Sequence, residues 1–316
     1  MHRLTLILAL PLALAAPLAA PLIAQGAAHP FVIAESGESF SRLQEAVDAV
    51  GDGDGTILIA PGRYRQCAVQ EEGRIAFVSQ SHGAAIFDGV ACEGKAVLVL
   101  RGDAARVEGL SFVRVRVPDG NGAGIRIEEG DLEVTHSSFA DGECGILSAD
   151  DPESRILIDR STFSRLGKHP DGNGAHSVYI GDYGALIVTN SRFERGTGGH
   201  YLKSRSARVT IQGNSFDDSR GTNTNYLIDL PNGAVGRIAG NAFVNGTGKD
   251  NYGTMITVAP EGAEHDSTGL VIEDNDAGLV PGFAWHTAFV GNWSGQRLVI
   301  RNNRIARGIA LHETRE

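Results

Sequence analysis

The chain has 316 residues, 42% of them hydrophobic and 21% charged, a balance too apolar for an intrinsically disordered protein. Its formal net charge of −10 argues against a general nucleic-acid binder, which needs a basic face for phosphates, so no nucleic acid is expected as a partner. Forty-one glycines without a G-X-Y period exclude collagen, and three cysteines exclude a disulfide scaffold, which leaves a chain that turns often.

In chain order, residues 1–28 read as a secretory signal peptide. His2 and Arg3 form a short basic start, an uncharged Leu/Ala-rich stretch runs from Leu4 to Leu22, and Ala24, Gly26, Ala27 and Ala28 offer small residues for cleavage. Pro11, Pro17 and Pro21 argue against a membrane anchor. The mature domain, 29–316, is then expected to be periplasmic or secreted, with no membrane span after signal cleavage. A helix is expected over residues 40–50, where Phe40, Leu43, Ala46, Val47 and Val50 share one face and Ser39 is the candidate N-cap. Gly51, Gly53 and Gly55 end it, and the strand Thr56–Ala60 and the turn Pro61–Gly62 follow.

From there the chain repeats itself. Phe112, Phe139, Phe163, Phe193, Phe216, Phe243, Ala277 and Ile305 end successive segments spaced about 28 residues apart. Seven residues before these ends sit Leu132, Ile156, Leu186, Val209 and Leu298, and five before them sit Val134, Ile158, Val188, Ile211, Ile238 and Ile300. Two before them sit Ser137, Ser161, Ser191, Asn214, Asn241, Asn275 and Asn303. Alternating β-branched residues argue against helical repeats, and propeller blades are longer. A strand pair of period 2 cannot bury its apolar face alone, so the coils must stack into a solenoid. The phenylalanines then form an internal ladder, and the Ser/Asn column bonds coil to coil. The predicted fold is all-β: a single-stranded parallel β-helix closed by the N-terminal capping helix.

The run SFSRLQEAVDAVGDGDGTILIAPGRY resembles the N-terminal cap and first coil of secreted right-handed parallel β-helix proteins of the pectate-lyase-like class. That class includes lyases, hydrolases, epimerases and phage tailspikes, so the resemblance implies a fold more than a chemistry. Cys67 and Cys92 would fall in adjacent coils, where a disulfide and two buried free thiols are both open readings; Cys144 is the odd cysteine.

Chemistry is sought among outward-facing residues inside the coils. Aligning the repeats turns Val178, Leu202 and Ile228 inward, which leaves Tyr179, Lys203 and Asp229 outward in consecutive coils, with Arg126 and Leu147 earlier in the same column. Arg205 lies two residues on from Lys203, and His176, His200 and Tyr226 line up at the strand starts, with Tyr201 beside them. Strand spacings put Tyr179, Lys203, Arg205 and Asp229 in a patch little larger than one sugar ring. Residues 192–220 carry six Lys/Arg against three Asp/Glu, a local positive excess that suits an acidic polysaccharide as partner.

The chemistry expected is β-elimination beside a uronate, which needs a cation for the carboxylate, a base for the C5 proton and an acid for the leaving oxygen. Arg205 suits the first, Lys203 the second with His200 as the competing base, and Tyr179 or His176 the third. Asp229, Tyr226, Arg126 and Tyr201 are the candidate substrate-binding residues. The segment GHYLKSRSARVTIQGNSF, with its Lys203-Ser204 pair, resembles the base-bearing coil of chondroitinase B and related alginate lyases, where calcium helps neutralise the uronate. The next coil departs from that pattern, because Asp229 stands where those enzymes place an arginine. Calcium is a candidate cofactor through Asn223, Asn225 and Asp229, against a reading as turn asparagines, and no metal set is assigned.

Lys168-His169-Pro170-Asp171-Gly172-Asn173 lengthens one coil into a loop. Asp150 and Asp151 read as solvated turn acids, and Trp285, His286 and Trp293 either stack sugars or cap the last coils. The preferred function is an exported polysaccharide lyase; a uronate C5-epimerase and a non-catalytic polysaccharide-binding solenoid are the alternatives. A hydrolase ranks below them for want of a carboxylate pair.

Overall fold

The computed structural model describes residues 29–167 and 175–316; the expected leader and the Lys168–Asn173 loop lie outside them. The strands form three long sheets, one of twelve strands and two of ten. Each coil gives one strand to each sheet, and the strand pairs in parallel with its counterpart one coil on, as Leu132 pairs with Ile156, Phe139 with Phe163 and Val178 with Leu202. This is the parallel β-helix that the repeat predicts.

The inward columns follow the predicted register. The rings of Phe87, Phe112, Phe139, Phe163, Phe193, Phe216 and Phe243 stack with centroids 4.7–5.8 Å apart. Ala277 and Ile305 continue the column where the rings stop. Each such ring buries enough apolar surface to contribute about 1.5–3 kcal/mol. Beside it runs the Ser/Asn ladder. Ser161 donates its backbone N–H to Ser191 Oγ (3.1 Å), Asn214 donates to Asn241 Oδ1 (2.9 Å), and Asn241 donates to Asn275 Oδ1 (3.0 Å). These bonds satisfy backbone groups that the tight turn between the first and second sheets would leave orphaned. The residue before each ladder position is left-handed in many coils, which explains glycine there at Gly213 (φ 66°) and Gly240 (φ 63°) and asparagine at Asn190 (φ 49°).

The cap differs in detail from the expectation. The helix is Leu43–Val50 and its N-cap is Arg42, with no side-chain cap of its own. Ser39 and Phe40 instead form a short strand, because they pair antiparallel with Val32 and Phe31. The first helical N–H, that of Leu43, donates to Gln66 Oε1 of the first coil (2.8 Å). Gln44 then bonds both ways to the backbone of Val69, so the helix covers a strand edge that would otherwise be unpaired. Cys67 and Cys92 are bonded, Cys144 is free and buried, and no helix among the described residues is long and apolar enough to cross a membrane.

Candidate active site

The third sheet carries the site. Its strands Val178–Ile180, Leu202–Ser204, Ile228–Leu230 and Thr254–Val258 hold Val178, Leu202, Ile228 and Ile256 in one inward column. The adjoining residues Tyr179, Lys203, Asp229 and Thr257 pair in register on the outer face. Leu147 precedes Tyr179 in this column and Arg126 precedes Leu147. The column predicted from the repeat is therefore real.

The outer face here is a covered floor. Lys203 is 7% exposed and Asp229 1%. On one side stand the ends of the connections that enter the sheet, bearing His176, His200 and Tyr226. Their rings stack at 4.8 and 5.2 Å. On the other side the connection 259–270 leaves the sheet and folds back across earlier coils. Glu261 donates its N–H to the carbonyl of Pro231 (3.0 Å), and His265 donates its own to Asn232 (2.9 Å). The His265 ring meets the carbonyl of Arg205 at 2.9 Å and Asp182 at 3.3 Å.

Glu261 is the residue that sequence reasoning missed. Its Oε1 accepts from Lys203 Nζ at 2.5 Å and its Oε2 accepts from Arg205. One carboxylate thus bridges the two cations. Partial burial opposes its charge, but the bonds from Lys203 and Arg205 hold its carboxyl below the usual carboxylate range. Asp229 is different: burial raises its pKa, against the bond from the Thr257 hydroxyl (2.5 Å) and the Lys203 ammonium 3.3 Å away. Arg205 also donates Nε to the Tyr179 oxygen (2.9 Å) and Nη1 to Asn232. Burial works against its charge, and the bonds to Tyr179 and Glu261 hold its pKa above the ordinary value. Lys203 Nζ lies 5.5 Å from the Tyr179 ring centroid.

The histidines are built into the wall. His176 Nδ1 accepts the N–H of His200 (2.9 Å), and His200 Nδ1 accepts the N–H of Tyr226 (3.1 Å). A neutral ring with Nδ1 so engaged carries its proton on Nε2, and His200 turns that proton toward Asp229 at 3.4 Å. Burial, with Lys203 nearby, pushes both imidazoles down to about 3, so they are neutral. Tyr226 accepts from Asn251 at 2.9 Å.

Several expectations need correction. Tyr201 is 1% exposed; it donates to Asp218 Oδ1 (2.8 Å) in the interior and cannot meet a substrate. Arg126 shares the column but pairs with Glu128 (3.4 Å), three strand spacings or about 14 Å from Lys203. The positive stretch 192–220 is not one patch. Arg192 sits on the second sheet beside Glu194 (2.8 Å), Arg208 on the first and Lys203 on the third. A calcium site through Asp229 does not fit, because that carboxylate already faces the Lys203 ammonium and accepts a hydrogen bond from the Thr257 hydroxyl. Asp150 and Asp151 accept backbone N–H groups of Asp182 and Gly130, both at 2.8 Å. A signal for Glu261 was present in the repeat lengths. The Ser/Asn ladder steps 34 residues from Asn241 to Asn275 but 23 to 30 elsewhere, and the surplus is this connection.

The chain belongs to the family described as the right handed beta helix region, whose model matches residues 106–312. Among solved structures it is similar to the pectate lyase Pel9A, at 16% identity and a TM-score of 0.59, over 88% of this chain and 74% of that one. It is also similar to the PL6 family alginate lyase AlyGC, at 13% identity and a TM-score of 0.43, over 83% of this chain and 38% of that one. No curated protein matches it in sequence. At these identities the likeness is one of fold.

Proposed function

We propose that the protein is an exported, periplasmic or secreted polysaccharide lyase that cleaves a uronate polymer by β-elimination. The supporting observation is that Lys203 and Arg205 jointly hold a carboxylate, that of Glu261. A uronate carboxylate entering the groove takes the place of Glu261 between Lys203 and Arg205. The Arg205 guanidinium then stabilises the carbanion that forms when C5 loses its proton.

As the base, Lys203 must be a neutral amine. Asp229 Oδ2, 3.3 Å from Nζ, is the neighbour placed to receive that proton, and burial favours the neutral form of its carboxyl. Lys203 then takes the C5 proton and the electron pair forms the C4–C5 double bond. The bond from C4 to its glycosidic oxygen breaks, and Tyr179 protonates the departing oxygen. The Tyr179 oxygen already accepts from Arg205, which leaves its own hydrogen free to be given. Afterwards the proton gained by Lys203 returns to Tyr179, and the site is restored. His176, set edge-on to the Tyr179 ring at 5.3 Å, and His200, facing Asp229, position these groups. Their Nδ1 lone pairs are committed to backbone, which argues against either as the base.

Asp229 and Glu261, with pKa values pushed apart, favour a hydrolase as a second reading. Asp229 lies under Lys203, His200 and Thr257, however, and offers no open face to a glycosidic oxygen.

The test is a panel of uronate polymers followed by the ultraviolet absorbance of the unsaturated product. Growth of the signal with wild type, and its loss in Lys203→Ala and Arg205→Ala, supports the lyase. Full activity in both variants overturns the site. Binding without product favours the non-catalytic solenoid, and an altered epimer ratio without cleavage favours the epimerase.

A further inference from the structure

Two coils beyond Asp229, the same edge of the groove carries aromatic rings that the chemistry above does not use. The connections entering the third sheet bear His200, then Tyr226, then Asn251 and Tyr252, then Trp285, as the register Leu202–Ile228–Ile256–Val290 passes from coil to coil. The rows are linked: Asn251 donates to the Tyr226 hydroxyl, and Tyr252 is its chain neighbour. Tyr252 and Trp285 stack almost parallel, 4.0 Å apart at 8°. Phe283 braces both edge-on, at 5.9 and 5.6 Å. Tyr252 is fixed in turn by donating to the carbonyl of Thr247 (2.8 Å).

Trp285 is nevertheless 44% exposed, and the other exposed large apolar residue among the described residues, Leu311, sits in the last coil. An indole held rigid on one face and open on the other is a platform for a flat, partly apolar ring. In a polysaccharide chain lying in this groove, a pyranose ring offers such a face through its axial C–H bonds.

We propose that Trp285, supported by Tyr252 and Phe283, is a second sugar subsite that stacks a pyranose of the same polymer. The proposal rests on the reading of the groove as a polysaccharide site. The platform lies two to three strand spacings from Lys203, about 10–14 Å along the axis. That is farther than one ring reaches, so only oligomers that extend past the carboxylate clamp engage both.

Trp293→Phe leaves Trp285 as the only tryptophan of the full chain. In that background, a long uronate oligomer is expected to change Trp285 emission, and a uronate dimer to bind without doing so. Trp285→Ala is expected to weaken the long oligomer about tenfold, leave the dimer unchanged and leave the melting temperature within a degree or so, with Trp285→Phe intermediate. Unchanged affinity for the long oligomer, or an equal loss for both lengths, overturns the subsite. If Arg205→Ala abolishes binding while Trp285→Ala does not, the platform fails and the proposed function stands. If emission responds only to neutral polymers, the platform stands and the uronate reading fails. Silence toward the whole panel overturns the platform.

Discussion

Two lysine–aspartate pairs sit one coil apart and serve opposite ends. Lys249 Nζ lies 3.2 Å from Asp218 Oδ2 with both side chains fully buried. Tyr201 and Thr224 donate to Asp218, and Lys249 also donates to the carbonyl of Asn225. Lys203 and Asp229 are almost as close, at 3.3 Å, yet their other partner is Glu261, a half-exposed carboxylate on a surface connection. A sealed pair is structural, because nothing can exchange with either charge. An open pair with an exchangeable third member can receive a ligand.

Single substitutions should separate the two pairs. Lys203→Ala should abolish turnover, with a loss on the order of 10²–10⁴ expected for a general base, and should cost less stability than loss of Lys249, because burial already favours the neutral form of Asp229. Lys249→Met should do the reverse for stability: it strands Asp218 in the interior and should cost about 3–5 kcal/mol in chemical denaturation. Equal stability losses in the two variants would erase the distinction.

Acid comes next. His176 and His200 are neutral in the fold, pushed down to about 3, whereas an unfolded histidine titrates near 6.5. The unfolded chain therefore takes up protons first as pH falls, and stability present at neutral pH is lost from about pH 6.5 downward. Each ring should cost about 2 kcal/mol by about pH 5, read as a drop in denaturation midpoint that His200→Gln partly flattens. Asn241→Ala, which leaves the backbone N–H of Asn214 without its acceptor, should cost about 1–3 kcal/mol. The smallest change is Thr257→Val. It removes the bond that favours the Asp229 carboxylate and should move the activity profile to higher pH while leaving substrate affinity alone.

The fold was legible because a solenoid writes the same physics into each coil. Phe163 and Phe193 face one another in space because they occupy equivalent places in the repeat, and the same alignment set Tyr179, Lys203 and Asp229 side by side. The repeat failed where the chain leaves it. Glu261 and His265 ride on a connection with no counterpart in other coils, so no column announced them. Tyr201 deceived because Tyr201 and Leu202 are both buried, which breaks the strict alternation at the corner of the coil. The positive stretch misled because a linear window of residues wraps around three sheets.

The central claim is that Glu261 stands where a substrate carboxylate belongs. Its most direct test is the affinity of a short uronate oligomer for wild type and for Glu261→Gln, measured by calorimetry at low and high salt. Removal of the internal charge should tighten binding about tenfold, with the larger gain at low salt. Unchanged or weaker binding in Glu261→Gln would mean that the bridge is a permanent part of the fold and that the clamp is not the substrate's place.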